Sequence, residues 1–148
     1  MKKKVFTLIA GLILLSGMVS PEPDMWAMFS KTKFVEKLNK EWGMNFLYPK
    51  FPEELKAFDG KKVTVSGFYI PLDINNSKVA VLSKFPMAEC FFCGGSGPES
   101  VVVGYLKNAP NRKIKTDEII KVRGILKLNG EDIEELNFIL LEAEIISD

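Results

Sequence analysis

Residues 119–130 read IIKVRGILKLNG. Apolar side chains recur here at every second position. Ile120, Val122, Leu126 and Leu128 fall on one side, and Lys121, Arg123 and Lys127 on the other. A period of two is the signature of a strand with one face buried and one in water. Gly124 sits on the apolar side, in mid-strand. A glycine there marks a bulge or a sharp coil, which a small barrel needs in order to close.

The same pattern occurs upstream. KKVTVSGFYI, residues 61–70, sets Val63 and Val65 against Thr64 and Ser66 and carries Gly67 in its interior. SKVAVLSKF (77–85) follows the polar turn DINNS and reads as a second strand. SVVVGYLK (100–107) is a third, and NFILLEAEII (137–146) closes the set with Ile139, Leu141, Ala143 and Ile145 expected on one side. Between them, NAPNRKIKTDE (108–118) is a polar connection with one helical turn expected at Thr116. Five strands, with glycine-kinked first and fourth members, predict a mainly β fold: a small five-stranded Greek-key barrel of the OB type. An SH3-like barrel is the alternative.

A helical preface is expected before the barrel. PEPDMWAMFSKTKFVEKLNKEW (21–42) opens with prolines and Asp24, which can cap a helix. Trp26, Phe29, Phe34 and Leu38 then recur at helical steps. GMNFLYPKF (43–51) reads as irregular, and PEELKAFDG (52–60) as one helical turn closed by Asp59-Gly60.

The first twenty residues differ from the rest. Lys2, Lys3 and Lys4 precede the apolar run VFTLIAGLILL. This is the anatomy of an export signal, either cleaved or retained as an anchor, and the run is short for a bilayer span. LSGM (15–18) resembles a lipoprotein box with methionine in place of the cysteine, so no lipid anchor is expected. The expected organisation is therefore 1–20 signal, 21–50 N-terminal helix and linker, and 51–148 barrel. The expected location is the periplasm or cell envelope.

Composition excludes some functions. The chain has 148 residues with 20 basic and 19 acidic side chains, a balance that disfavours a dedicated nucleic-acid binder. It has no histidine, so no Ser-His-Asp set exists, and an enzyme is the less favoured reading. GGSGPES lacks the lysine of a phosphate loop. Phe68, Tyr69, Phe85 and Tyr105 could stack bases in an OB domain, but core packing is the reading favoured here.

The chemistry concentrates in AECFFCGGSGPES (88–100), which holds the only two cysteines, Cys90 and Cys93. Gly94, Gly95 and Gly97 follow and let the backbone turn back toward the thiols. Three readings stay open. An oxidising compartment favours a local disulfide. Two thiolates also suit zinc or Cu(I), with Glu89, Glu99 or a second subunit's cysteines as further ligands. A catalytic thiol is less favoured, because no helix is expected after Cys93 and no cation lies within five residues.

FDGKKVTVSGFYIPLD, IIKVRGILKL and the cysteine-glycine loop between them resemble a family of exported bacterial OB-like proteins of unknown function. The resemblance covers residues 51–146. It implies envelope localisation and a role beside a transporter or in metal handling, and no known reaction. Other members resemble this chain with a C-x-H loop rich in proline; Cys93 stands there instead. The sequence thus points to an exported non-enzymatic binding module using its C-x-x-C loop. The alternatives are a thiol–disulfide protein and an OB domain for nucleic acid or oligosaccharide. The expected partners are an envelope protein or transporter component, with a homodimer open and the membrane touched only by the N-terminal segment.

Overall fold

The computed structural model describes residues 21–72 and 77–146. Residues 1–20, read above as an export signal, and most of the DINNS turn lie outside the described residues.

Five strands close into a barrel: β3 (Lys62–Ile70), β4 (Val79–Ser83), β5 (Val101–Leu106), β6 (Ile119–Leu128) and β7 (Phe138–Ile146). Two further strands precede them, β1 (Lys33–Asn39) and β2 (Met44–Lys50). The barrel order is β3-β4-β5-β7-β6, closed by pairing of β3 with β6. All barrel pairs are antiparallel except β5 with β7. This is the Greek-key connectivity of the OB barrel, and it excludes the SH3-like alternative.

The interior follows from the period of two. Val63 and Val65, Ala80 and Leu82, Val102, Val122 and Leu126, and Phe138 and Leu140 are all buried in one cluster. A second, smaller cluster holds Ile70, Val81, Val103 and Ile139. These alternate in sequence with the interior residues, so they point outward from the barrel wall. An outer apolar patch of this kind needs a cover.

β7 departs from the expected pattern. Arg123 pairs with Glu144, but Ile125 pairs with Leu141; Gly104 pairs with Leu140, but Leu106 with Ala143. On both flanks β7 spends three residues where its neighbour spends two. One bulge, with Glu142 at φ 48°, accounts for both shifts. It changes which parity faces inward. Phe138 and Leu140 are interior before it, and Ala143 and Ile145 join the interior cluster after it. The expected single face of Ile139, Leu141, Ala143 and Ile145 is therefore corrected: Ile139 belongs to the outer cluster and Leu141 is exposed.

The two strand glycines serve close packing. Neither Gly67 nor Gly124 has a positive φ. A Cβ at Gly67 would lie 2.7 Å from the Ser83 carbonyl oxygen, and one at Gly124 would lie 2.9 Å from that of Leu141. Gly124 faces the bulge. The β3–β6 register runs unbroken through Gly67, so no bulge occurs there.

The N-terminal helix is much shorter than expected. It is α1 (Met25–Phe29), capped by Asp24, whose Oδ1 accepts hydrogen bonds from the backbone N–H of Trp26 and Ala27. Trp26 donates its indole N–H to the Ser66 carbonyl at 2.7 Å. Phe29 is fully buried and stacks on Phe138 with ring centroids 4.2 Å apart. From Lys33 the chain forms a hairpin, where the sequence reading had continued the helix. Asn39 sets the turn: its side-chain oxygen accepts from the backbone N–H of Glu41 and Trp42. Gly43 completes the turn at φ 64°. The stretch 43–51, expected to be irregular, supplies β2. The single turn α2 (Glu53–Lys56) forms as expected and buries Leu55. The helical turn expected at Thr116 is a single hydrogen-bonded turn, closed by the Glu118 N–H on the Lys115 carbonyl at 3.1 Å, with Asp117 at φ 62°.

Candidate functional site

The strand directions decide which loops meet. α2 leads into the start of β3, and antiparallel pairing puts the end of β6 beside it. The starts of β5 and β7 follow at the same end of the barrel. Three segments therefore gather there: the cysteine loop between β4 and β5, the 129–137 loop between β6 and β7, and the β1–β2 hairpin.

The cysteine loop is a chain of 3-10 turns at Met87–Glu89, Phe91–Cys93 and Pro98–Ser100. The Cys90 carbonyl accepts hydrogen bonds from the N–H of Cys93 at 3.1 Å and of Gly95 at 3.2 Å. The backbone thus folds around Cys90 and returns the second thiol to the first. The two sulfurs are 3.9 Å apart and both are free thiols. Gly94 takes φ 77°, the left-handed conformation expected of it. Gly95 serves a different need, since a Cβ there would lie 2.6 Å from the Glu89 carbonyl oxygen. Gly97 caps the last turn, and its carbonyl accepts from the Ser100 hydroxyl at 2.6 Å.

The two thiols are not equivalent. Cys90 is 0% exposed and packs into the outer cluster with Val81, Val103 and Ile139. Its side chain anchors the loop to the barrel wall and supplies part of the cover that the outer patch requires. Cys93 is exposed. Its thiol is held above the ordinary value, chiefly by the hydrogen bond with Cys90, then by lost hydration and by the charge of a Cys90 thiolate.

Glu89 and Glu99 do not join the pair. Among the described residues no three of His, Cys, Asp and Glu form a cluster that could hold a metal ion. The Glu99 carboxylate instead folds back over Gly97. What the loop presents is an edge with one exposed sulfur, Cys93, backed at 3.9 Å by the buried sulfur of Cys90. Two thiolates bound to one tetrahedral ion at about 2.3 Å stand about 3.8 Å apart. The observed separation therefore fits a shared ion without movement of the backbone, whereas a disulfide requires the sulfurs to close to about 2.05 Å.

Beside this edge runs a groove of about 320 Å³. β2 forms one wall, Phe91 and Pro98 of the cysteine loop another, and residues 130–137 the third. The last wall is held by Asn129, a buried residue that the sequence reading did not single out. Its side-chain N–H donates to the carbonyl of Asp132 at 2.7 Å, and its oxygen accepts from the N–H of Asp132 at 3.0 Å. Asn137 returns a bond to the Asn129 carbonyl at 3.0 Å. Tyr105 ties the loop to β5: its hydroxyl reaches both carboxylate oxygens of Glu135, at 2.6 and 2.8 Å. Burial, then the Glu135 contact, pushes the Tyr105 phenol up to about 12. Tyr69 packs against the interior cluster and Tyr105 against the outer one, so these two aromatics do not share a stacking face.

The chain matches no protein-family model and no curated protein. Among solved structures it is similar to a DUF3299 family protein from Pseudomonas aeruginosa PAO1, with a TM-score of 0.48 and 14% identity over 68% of each chain.

Proposed function

We propose that this protein is an exported, non-enzymatic binding module of the cell envelope that takes a thiophilic metal ion, zinc or Cu(I), on Cys90 and Cys93. The observation that carries the reading is the 3.9 Å sulfur separation on a loop whose backbone already holds both thiols on one side. Cys90 and Cys93 would supply two ligands, and the ion would supply Lewis acidity or cargo. The remaining positions stay open to a partner's donors, which suits a module that passes an ion on beside a transporter. The loop carries a single 3-10 turn after Cys90, where redox C-x-x-C pairs open a helix, and a metal displaces the thiol protons as it binds.

The test is metal titration of the full chain under reducing, oxygen-free conditions, with a free-thiol count and proton release followed together. One ion per chain or per pair of chains, loss of thiol reactivity and tighter binding at higher pH are expected. Cys93→Ser should abolish the site and leave the far-ultraviolet spectrum unchanged. Two free thiols that take up neither zinc nor Cu(I) would overturn the reading. Rapid turnover of a disulfide substrate by the metal-free protein would replace it with thiol–disulfide exchange.

A further inference from the structure

The groove beside the thiols has three properties that do not belong to the metal reading. The first is an open strand edge. β1 and β2 form a two-stranded sheet with no third strand among the described residues. Five successive residues of β2, Asn45 to Pro49, line the groove. A strand that presented a face would contribute alternate residues, so β2 presents its edge. Pro49 in the strand is consistent with an edge position and confines new pairing to the residues before it.

The second property is an apolar bed. Phe46, Tyr48 and Phe91 converge there from different segments. The third is charge. Glu131, Asp132 and Glu135 line the groove, and no lysine or arginine does. The 129–137 loop is the connection between the fourth and fifth barrel strands, one of the two loops that OB domains turn toward oligonucleotides. A phosphate backbone would be repelled from this wall. Lys37 Nζ already stands over the Tyr48 ring at 5.6 Å, so an incoming cationic side chain would meet carboxylates at one end and the faces of Phe46 and Phe91 at the other.

We infer that the groove is a docking site for an extended, lysine- or arginine-bearing segment of a partner protein, added as a third strand to the edge of β2. Backbone hydrogen bonds to β2 would hold the segment. Its alternate side chains would fall on the aromatic bed, and its cationic side chains would face Glu131 and Asp132.

The experiment is calorimetric titration of the full chain with the blocked peptide acetyl-Lys-Thr-Val-Lys-Thr-Val-Lys-amide. Controls are its glutamate counterpart and a version N-methylated at alternate backbone positions. The lysine peptide should bind at least tenfold more tightly than either control and weaken as salt is raised. Glu131→Gln combined with Asp132→Asn should weaken it fivefold or more; asparagine keeps the acceptor that Asp132 offers to the Glu134 N–H. Amide shifts on binding should cluster at 45–48 and 130–137. Equal affinity for the glutamate peptide, unchanged affinity in the double variant, or shifts centred elsewhere would overturn the inference. So would a concentration-dependent dimer, with amide shifts confined to β2, that excludes the peptide. Cys93→Ser should retain peptide binding even where it loses metal, so the two readings fail separately.

Discussion

Gly124→Ala is the sharpest test of how the barrel closes. The new Cβ would stand 2.9 Å from the Leu141 carbonyl oxygen, 3.0 Å from Leu140 Cβ and 3.2 Å from Ala143 Cβ. Carbon atoms in good contact lie about 3.5–4.0 Å apart, so β6 and β7 must separate locally by several tenths of an ångström. The contacts are backbone and Cβ atoms, which cannot rotate away. Alanine gains about 0.4–1 kcal/mol by restricting the unfolded chain, against about 1–3 kcal/mol for overpacking. The net expectation is a loss of about 1–2 kcal/mol, and valine should lose about 3 kcal/mol, since its two extra methyl groups enter the same space. For a chain of this size each kcal/mol shifts the melting temperature by roughly 3–5 °C. Thermal melts and urea titrations at one protein concentration measure both quantities, and the urea slope should not change. Gly130→Ala is the control, because its nearest neighbour would be Phe51 Cε2 at 3.6 Å. A Gly124→Ala protein that melts with or above the parent would show that the approach of β7 is not what requires glycine.

The two cysteines should respond differently to serine. Cys90→Ser places a hydroxyl among Val81, Val103 and Ile139 and should cost about 1–3 kcal/mol, while Cys93→Ser, at an exposed position, should stay within about 0.5 kcal/mol; urea midpoints of the reduced proteins measure both, and equal costs would mean that Cys90 does not anchor the loop. Tyr105 predicts an alkaline transition. Its folded value of about 12 lies above the ordinary value of 10, so the neutral phenol stabilises the fold fully below pH 10 and that contribution is lost as pH rises through 12. Phenolate absorbance of the parent minus that of Tyr105→Phe should titrate near the upper value, and a midpoint at 10 would break the assignment to burial and the Glu135 hydrogen bond.

The barrel was legible because β3 and β6 alternate and β4 and β5 are short, β-branched apolar runs bounded by turn residues, and both are local properties. β7 was legible as a strand but not in its facing. One residue of bulge reverses the parity, and only the neighbours β5 and β6 reveal it. The hairpin was misread because Phe34 and Leu38 fit a helical step as well as a strand. The deciding signal was the turn: Asn39 inside what looked like a helix, with Gly43 just past its end. The cysteine spacing and its glycines declared a turn that brings two thiols together. That one thiol is buried on the outside of the barrel was not declared, because its neighbours are strands remote in sequence. The groove was equally hidden, since its walls come from three segments that meet only through topology.

The bulge in β7 also divides the kinds of sequence change this protein can absorb. β7 lies between β5 and β6 and is out of step with both by the same single residue. Deleting Glu142 would leave Phe138, Leu140, Ala143 and Ile145 at alternate positions of a regular strand, all still facing inward, whereas deleting Glu144 would turn Ile145 to the wrong side of the wall. Substitutions at Glu142 touch none of this, provided the residue tolerates its backbone angle. Lineages of this fold should therefore accumulate insertions in the connection 107–118 and vary freely at many exposed positions. Between Phe138 and Ile146 the last strand should lose a residue only at the bulge, where the inward facing of its neighbours survives the loss.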